Sequence, residues 1–431
     1  MAHGSHEARE VPFVRYDKMP AGMRAAALGM IAVGVILWIV ALLTNADRAW
    51  HAYLANWLFF TSIAAGAFML SVIVTITKGV WSRPIRRIAL SFVAFLPIAF
   101  VLMVPMFFAA DHIFPWLHEP VAGKEAYLNM PFLIVRNVVL FGLFVWMATI
   151  FARTALRPDV GAVRSKMSGN VAALYERLSG GWRGQAAEEL QGHRRLARLA
   201  PALALVYAAA FSVIAWDFVM SLEPHWFSTL LGPYLFMGAI LGGFSATSLL
   251  TRAYSRGLHF EDRIAPQQWH DLGKLMFGFV VFWAYLFFSQ FIVIWYGMLP
   301  MEQSFVIHRF TAPFSLISKI VFACLFVIPF FGMLGVTPKR TPRTQNIFAG
   351  IILVGLWLER WLLVYPSHNI GAESLPLGWQ EIGTAPLFAG LLLLSLGWFA
   401  SRFPLLQIWE PQSEIELRGV PVEVGETVAA R

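Results

Sequence analysis

The chain has 431 residues, 58% of them hydrophobic and 13% charged, about half the charged share of an ordinary globular domain. Ten apolar runs are each long enough to cross a bilayer at about 20 residues apiece. They exclude a water-soluble enzyme and predict an all-α polytopic membrane protein, since barrel strands would be half as long and alternating. The net charge of +8 reflects topology rather than nucleic acid: 27 of the 33 Lys and Arg residues fall in the tails and loops of one side, which the positive-inside rule makes cytoplasmic, with both termini there.

In chain order, residues 1–22 are an unpatterned cytoplasmic tail containing His3 and His6. Helix 1 (23–43) carries no charge beyond Arg24 at its start, is too long for a signal-peptide core and reads as a retained, peripheral span. Helix 2 (53–77) is lined by Asn56, Thr61, Ser62, Gly66, Ser71 and Thr75, small and polar residues that let helices approach closely in lipid. Helix 3 (88–109) holds Pro97 and Pro105, which kink a helix, and ends in Asp111-His112 at the outer surface. Beyond the outer loop 111–130, helix 4 (131–152) places Arg136 about 8 Å below its outer end. Residues 153–198 form an Arg-rich cytoplasmic segment, read as short surface helices that dock a partner or lie on anionic lipid.

Helix 5 (199–222) carries Asp217 inside its apolar run and leads into Glu223-Pro224-His225. An ionisable group in hydrocarbon is costly and marks a candidate functional site. Helix 6 (229–251) has a small-residue face with Gly238, Gly242 and Gly243, and helix 7 (272–298) opens at Asp271-Leu272-Gly273-Lys274. Helix 8 (312–335) carries Lys319 about 10 Å, and helix 9 (346–365) Glu359-Arg360 about 9 Å, below the outer end. Helix 10 (384–403) is plainly apolar, and residues 404–431 form a weakly patterned cytoplasmic tail. The single cysteine, Cys324 in helix 8, excludes an intrachain disulfide and a cysteine-ligated iron–sulfur cluster within this chain.

Helices 4 and 8 resemble each other, with six identities between residues 131–145 and 313–327, and aligning Pro224 with Pro366 sets Asp217 against Glu359. Copies four helices apart run the same way through the membrane. They predict two four-helix bundles, helices 2–5 and 6–9, with helices 1 and 10 outside. On this reading Arg136 and Asp217 are a cation and carboxylate of the first bundle and Lys319 and Glu359 their counterparts, with Arg360 beside them. Charges at one depth pair rather than stand alone. The pairs then either brace the bundles, or serve proton transfer or a quinone head group. Asp111, His112, Glu223 and His225 offer a relay to outer water, whereas Lys274 and scattered hydroxyls are all that the inner half supplies. The eleven histidines fall in tails, loops or helix ends, which argues against a membrane haem with two axial histidines, so no redox centre is expected on this chain.

The strings Trp216-Asp217-Phe218-Val219-Met220-Ser221-Leu222-Glu223-Pro224-His225-Trp226, Asp271-Leu272-Gly273-Lys274 with Phe282-Trp283-Ala284-Tyr285 and Ser289-Gln290, and Ile294-Trp295-Tyr296-Gly297-Met298-Leu299-Pro300 resemble the NrfD-like family, the polysulfide reductase membrane subunits. Within it, the match is nearest to the second such subunit (ActF) of bacterial alternative complex III. The resemblance implies a bacterial inner-membrane subunit of a quinol:cytochrome c oxidoreductase. Its implied partners are a multihaem cytochrome c, a monohaem cytochrome c, an iron–sulfur protein and a paralogous NrfD-like subunit, with a terminal oxidase as the other electron acceptor. Haem c and iron–sulfur clusters would sit in those partners and quinone or quinol would diffuse to the site. Where the resemblance implies two adjacent glutamates after Leu299-Pro300, Met301-Glu302-Gln303 keeps one. The competing readings are a repeat-built secondary transporter, which would purify alone, and an inert membrane anchor.

Overall fold

The computed structural model describes residues 11–408 and 424–430. Ten of the described helices are long and apolar enough to cross a membrane: α1 (Ala21–Thr44), α2 (Ala46–Ile76), α3 (Val80–Phe108), α4 (Met130–Lys166), α5 (Gln185–Leu222), α6 (Leu231–Gly257), α7 (Pro266–Gly297), α8 (Ser315–Gly332), α9 (Pro342–His368) and α10 (Trp379–Ala400). The protein is an all-α, multi-pass membrane protein. Asn45 starts α2 by accepting a hydrogen bond from the Arg48 amide, and Asn129 starts α4 by accepting one from that of Phe132. Each satisfies a backbone donor that a helix start would otherwise leave open.

Glycine decides how the centre packs. A Cβ on Gly66 of α2 would lie 1.8 Å from the Ala239 carbonyl oxygen of α6, and one on Gly243 of α6 would lie 2.0 Å from the Ala67 amide of α2. The two helices thus cross at backbone contact, as small-residue faces allow in lipid. Apart from its two ends α2 is buried on all sides, as expected of a helix that is hydrophobic all round. α1 packs on α10, with Gly34 against Leu387 and Gly390 against Ala27 and Ile31. α3 changes from α-helix (Arg83–Ser91) to a 3₁₀ turn (Phe92–Phe95) just before Leu96-Pro97, whereas Pro105 lies inside the continuous helix Leu96–Phe108.

Two expectations change. α4 and α5 extend well past the apolar runs, so the segment 153–198 is mostly the ends of two spanning helices, with one short helix, Gly169–Leu178, between them. The tails are not unpatterned either: β1 (Val11–Tyr16) pairs in parallel with β2 (Val424–Ala430). The Val14 carbonyl accepts from the Leu405 amide, and the Arg15 guanidinium donates to the Ser401 carbonyl. Both tails are thereby held on the face that carries most of the arginines, the basic face. His3 and His6 lie outside the described residues.

Candidate functional site

Toward the face opposite the basic one lie the Arg48–Glu381 pair, 2.7 Å, and three further carboxylate assemblies, while the buried Arg87–Asp159 pair, 2.7 Å, lies at the basic end. In the first, Asp217 of α5 is fully buried and meets Arg136 of α4 through two parallel contacts, Nε to Oδ2 and Nη2 to Oδ1, both 2.7 Å. Asn137 donates to Oδ2 at 2.5 Å and Tyr127 to Oδ1 at 3.1 Å. Arg136 also donates to the Tyr127 carbonyl and lies over that residue's ring, 3.8 Å from the centroid. A planar guanidinium matches a carboxylate in this fork, which a lysine cannot do. Tyr127 lies in the loop before α4, where burial, followed by the Asp217 charge, pushes its phenol well above the ordinary tyrosine range. It therefore stays protonated and keeps donating.

The second assembly was not expected as a unit. Glu223, just past α5, accepts from Arg309 Nη1 at 2.9 Å and from the Ser367 hydroxyl at 2.7 Å. Arg309 comes from the helix Pro300–Phe310 between α7 and α8, donates to the Phe305 and Leu363 carbonyls, and sits 3.3 Å from the Phe305 ring centroid. Its one sequence signal was the Phe305/Arg309 spacing, which stacks ring and guanidinium one helical turn apart.

In the third, Glu359 of α9 accepts from Trp283 Nε1 at 3.0 Å and from its neighbour Arg360 at 2.5 Å. Tyr234 of α6 also bonds to Glu359, and Arg360 reaches the Leu235 carbonyl. The predicted partner, Lys319, is exposed on the surface of α8. Ser318, which aligns with Arg136, takes the buried side instead and bonds to the Arg309 carbonyl. One residue of register turns a helical side chain by about 100°, which carries Lys319 off the interior face.

Glu359 and Arg309 both border an apolar cavity of about 80 Å³, lined by Trp226, Tyr234, Trp283, Phe287, Gln290 and Phe305 among others. Trp226 and Phe305 stack in parallel, 3.6 Å between centroids, on one of its walls. The volume exceeds several-fold the roughly 10–15 Å³ needed for one water. One cation, Arg309, one carboxylate, Glu359, and several aromatic rings thus meet at one cavity.

The other candidates stand apart. His112 is half-exposed and pairs with Asp47 at 2.6 Å. Asp111 and His225 are exposed. Lys274 pairs with Asp271 at 2.6 Å near the start of α7, away from the three assemblies. Among the described residues no group of three or more His, Cys, Asp or Glu could hold a metal ion.

The profile of the polysulphide reductase NrfD family matches residues 28–372, a stretch that covers α2 to α9, most of α1 and these three carboxylate assemblies. The chain belongs to the NrfD family. NrfD-family proteins are the membrane subunits of redox complexes and work with iron–sulfur and cytochrome subunits. No curated protein matches this chain.

Proposed function

We propose that this NrfD-family protein is the cofactor-free membrane subunit of a quinol-oxidising complex of the alternative complex III type, in a bacterial inner membrane. It carries protons between its buried carboxylates and the outer face. The supporting observation is the cavity shared by Glu359 and Arg309, with Arg309 bonded in turn to Glu223. Water in that cavity would connect Glu359 to Arg309, whose partner Glu223 leads to the outside past His308, 3.8 Å away. Quinol oxidation releases two protons per molecule, and a carboxylate beside a mobile cation changes its proton affinity as that cation moves. Asp217 with Arg136 is the corresponding unit on the other side of the α2–α6 contact. The basic face is cytoplasmic by its charge, so the assemblies face the side where multihaem and monohaem cytochromes and the iron–sulfur protein dock. A paralogous NrfD-like subunit completes the membrane part, and a terminal oxidase or cytochrome c takes the electrons.

The aromatic walls favour a second occupant, a quinol ring stacked against Trp226 or Trp283, since flat rings prefer such faces. One measurement separates the occupants. A ring in the cavity makes Trp283→Leu raise the quinol KM, whereas water in the cavity makes Glu359→Gln lower kcat and shift its pH profile at unchanged KM.

Asp217→Asn tests the proton role directly. The variant keeps the size of the side chain, so the complex should assemble while quinol-driven proton release in proteoliposomes falls by the share that this route carries. Failure of the complex to assemble, as judged by co-purified haem, would instead make the pair a brace.

A further inference from the structure

The basic face holds a pocket that this role leaves unused. It has a volume of about 380 Å³ and is lined by Arg153, Thr154 and Arg157 of α4, Arg177 of the helix Gly169–Leu178, and Glu188, Gln191 and Arg195 of α5. Four arginines face one glutamate. Arg157 neutralises that glutamate through contacts of 2.6 and 2.9 Å, and its remaining donors go to the Leu178 and Gly180 carbonyls. The other three, Arg153, Arg177 and Arg195, are exposed, and among the described residues none has an ion-pair partner. The pocket therefore presents three uncommitted guanidinium groups around a rigid, already neutralised floor.

Its depth identifies the environment. Arg153 lies seventeen residues along α4 from Arg136, and Arg195 twenty-two residues along α5 from Asp217, which are about 26 and 33 Å. Arg136 and Asp217 touch each other near the opposite face, so the pocket lies one hydrocarbon thickness away, about 30 Å. That is head-group level. Two apolar lanes lead to it. On α4, Val135, Val139, Leu143 and Trp146 are exposed, Trp146 by 61%, and two turns further that face reaches Arg153. On α5, Leu205 is 74% exposed, and the same face continues through Arg198 to Arg195.

We propose that this pocket binds the phosphate head group of an acidic membrane phospholipid, whose acyl chains lie along the exposed lanes of α4 and α5. Planar guanidinium forks match phosphate oxygens. A free phosphate would satisfy the arginines but gain nothing from the lanes, and it is the lanes that favour a lipid. The site is independent of the proton path.

The test uses the purified, delipidated protein in zwitterionic detergent, titrated with phosphatidylglycerol, phosphatidylcholine or inorganic phosphate and read by native mass spectrometry and by Tm. Phosphatidylglycerol should stay bound and raise Tm, while phosphatidylcholine and inorganic phosphate do neither. Arg153→Gln with Arg177→Gln and Arg195→Gln should weaken phosphatidylglycerol retention on the order of 100-fold, from about fivefold per arginine. A control with the same charge change on the same face, Lys78→Gln with Arg340→Gln and Arg343→Gln, should keep it. Should the triple variant fold poorly, Arg177→Gln alone, on the short surface helix, should still cost about fivefold. Equal loss in the control would overturn the site in favour of general charge attraction. Inorganic phosphate displacing the lipid at comparable concentration would overturn the lipid assignment, as would retention unchanged in the pocket variants.

Discussion

Asp217 shows how a buried charge is kept in hydrocarbon: both its oxygens are filled, by Arg136, Asn137 and Tyr127. Removing one partner of such a pair leaves the other unpaired, at a cost of about 3–5 kcal/mol. Arg136→Ala should therefore lower the melting temperature strongly, and Arg136→Ala combined with Asp217→Asn should recover most of that loss, because no lone carboxylate remains. A double variant as unstable as the single one would mean that the guanidinium matters through its stacking on Tyr127 and Phe132 rather than through charge. The Arg136–Asp217 pair was legible in the sequence, since two opposite charges at one depth on neighbouring helices have few other partners. The partner of Glu359 was not. The repeat aligned helices but not side-chain direction, and Arg360, its own neighbour, turned back to it where Gly238 leaves room: a Cβ there would lie 3.2 Å from the guanidinium. Glu223 and Arg309 escaped as a pair because eighty-six residues separate them and no pattern in either helix points to the other.

Among the helices, number, order and close-packing faces were readable because they follow from apolar length and small-residue patterning. Helix ends were not, since α4 and α5 leave the bilayer as continuous helices and polarity there signals solvent, not termination. The α2–α6 crossing is the contact with the least slack. Gly66→Ala places a methyl group 1.8 Å from the Ala239 carbonyl oxygen, so the helices must separate. The expected cost is about 1–3 kcal/mol, the usual range for overpacking, read as a lower melting temperature. Gly278→Ala in α7, where a Cβ meets nothing within 4 Å, is the control and should be neutral or slightly stabilising, because alanine is the better helix former. Equal effects at the two positions would show that the crossing tolerates spreading.

Across the whole molecule, Asp217 with Arg136 and Glu359 with Arg360 sit on either side of that crossing as separate assemblies with no shared side chain. Their arrangement distinguishes one proton route from two. Groups that act in series are non-additive, since blocking either one already stops the flow, whereas flows through parallel routes add, so that blocking both removes both shares. Of the two, only the Glu359 assembly borders the cavity with Arg309, and through Arg309 it reaches Glu223, so on the proposed role Asp217 would need its own way out, past Tyr127 and its loop. The expectation is two parallel routes. In the assembled complex Asp217→Asn and Glu359→Gln should each lower quinol-driven proton release, and the double variant should lose both shares, well below either single variant. A double variant no slower than the slower single one would place both carboxylates on one path across the α2–α6 contact, and the cavity would then be its middle rather than its exit.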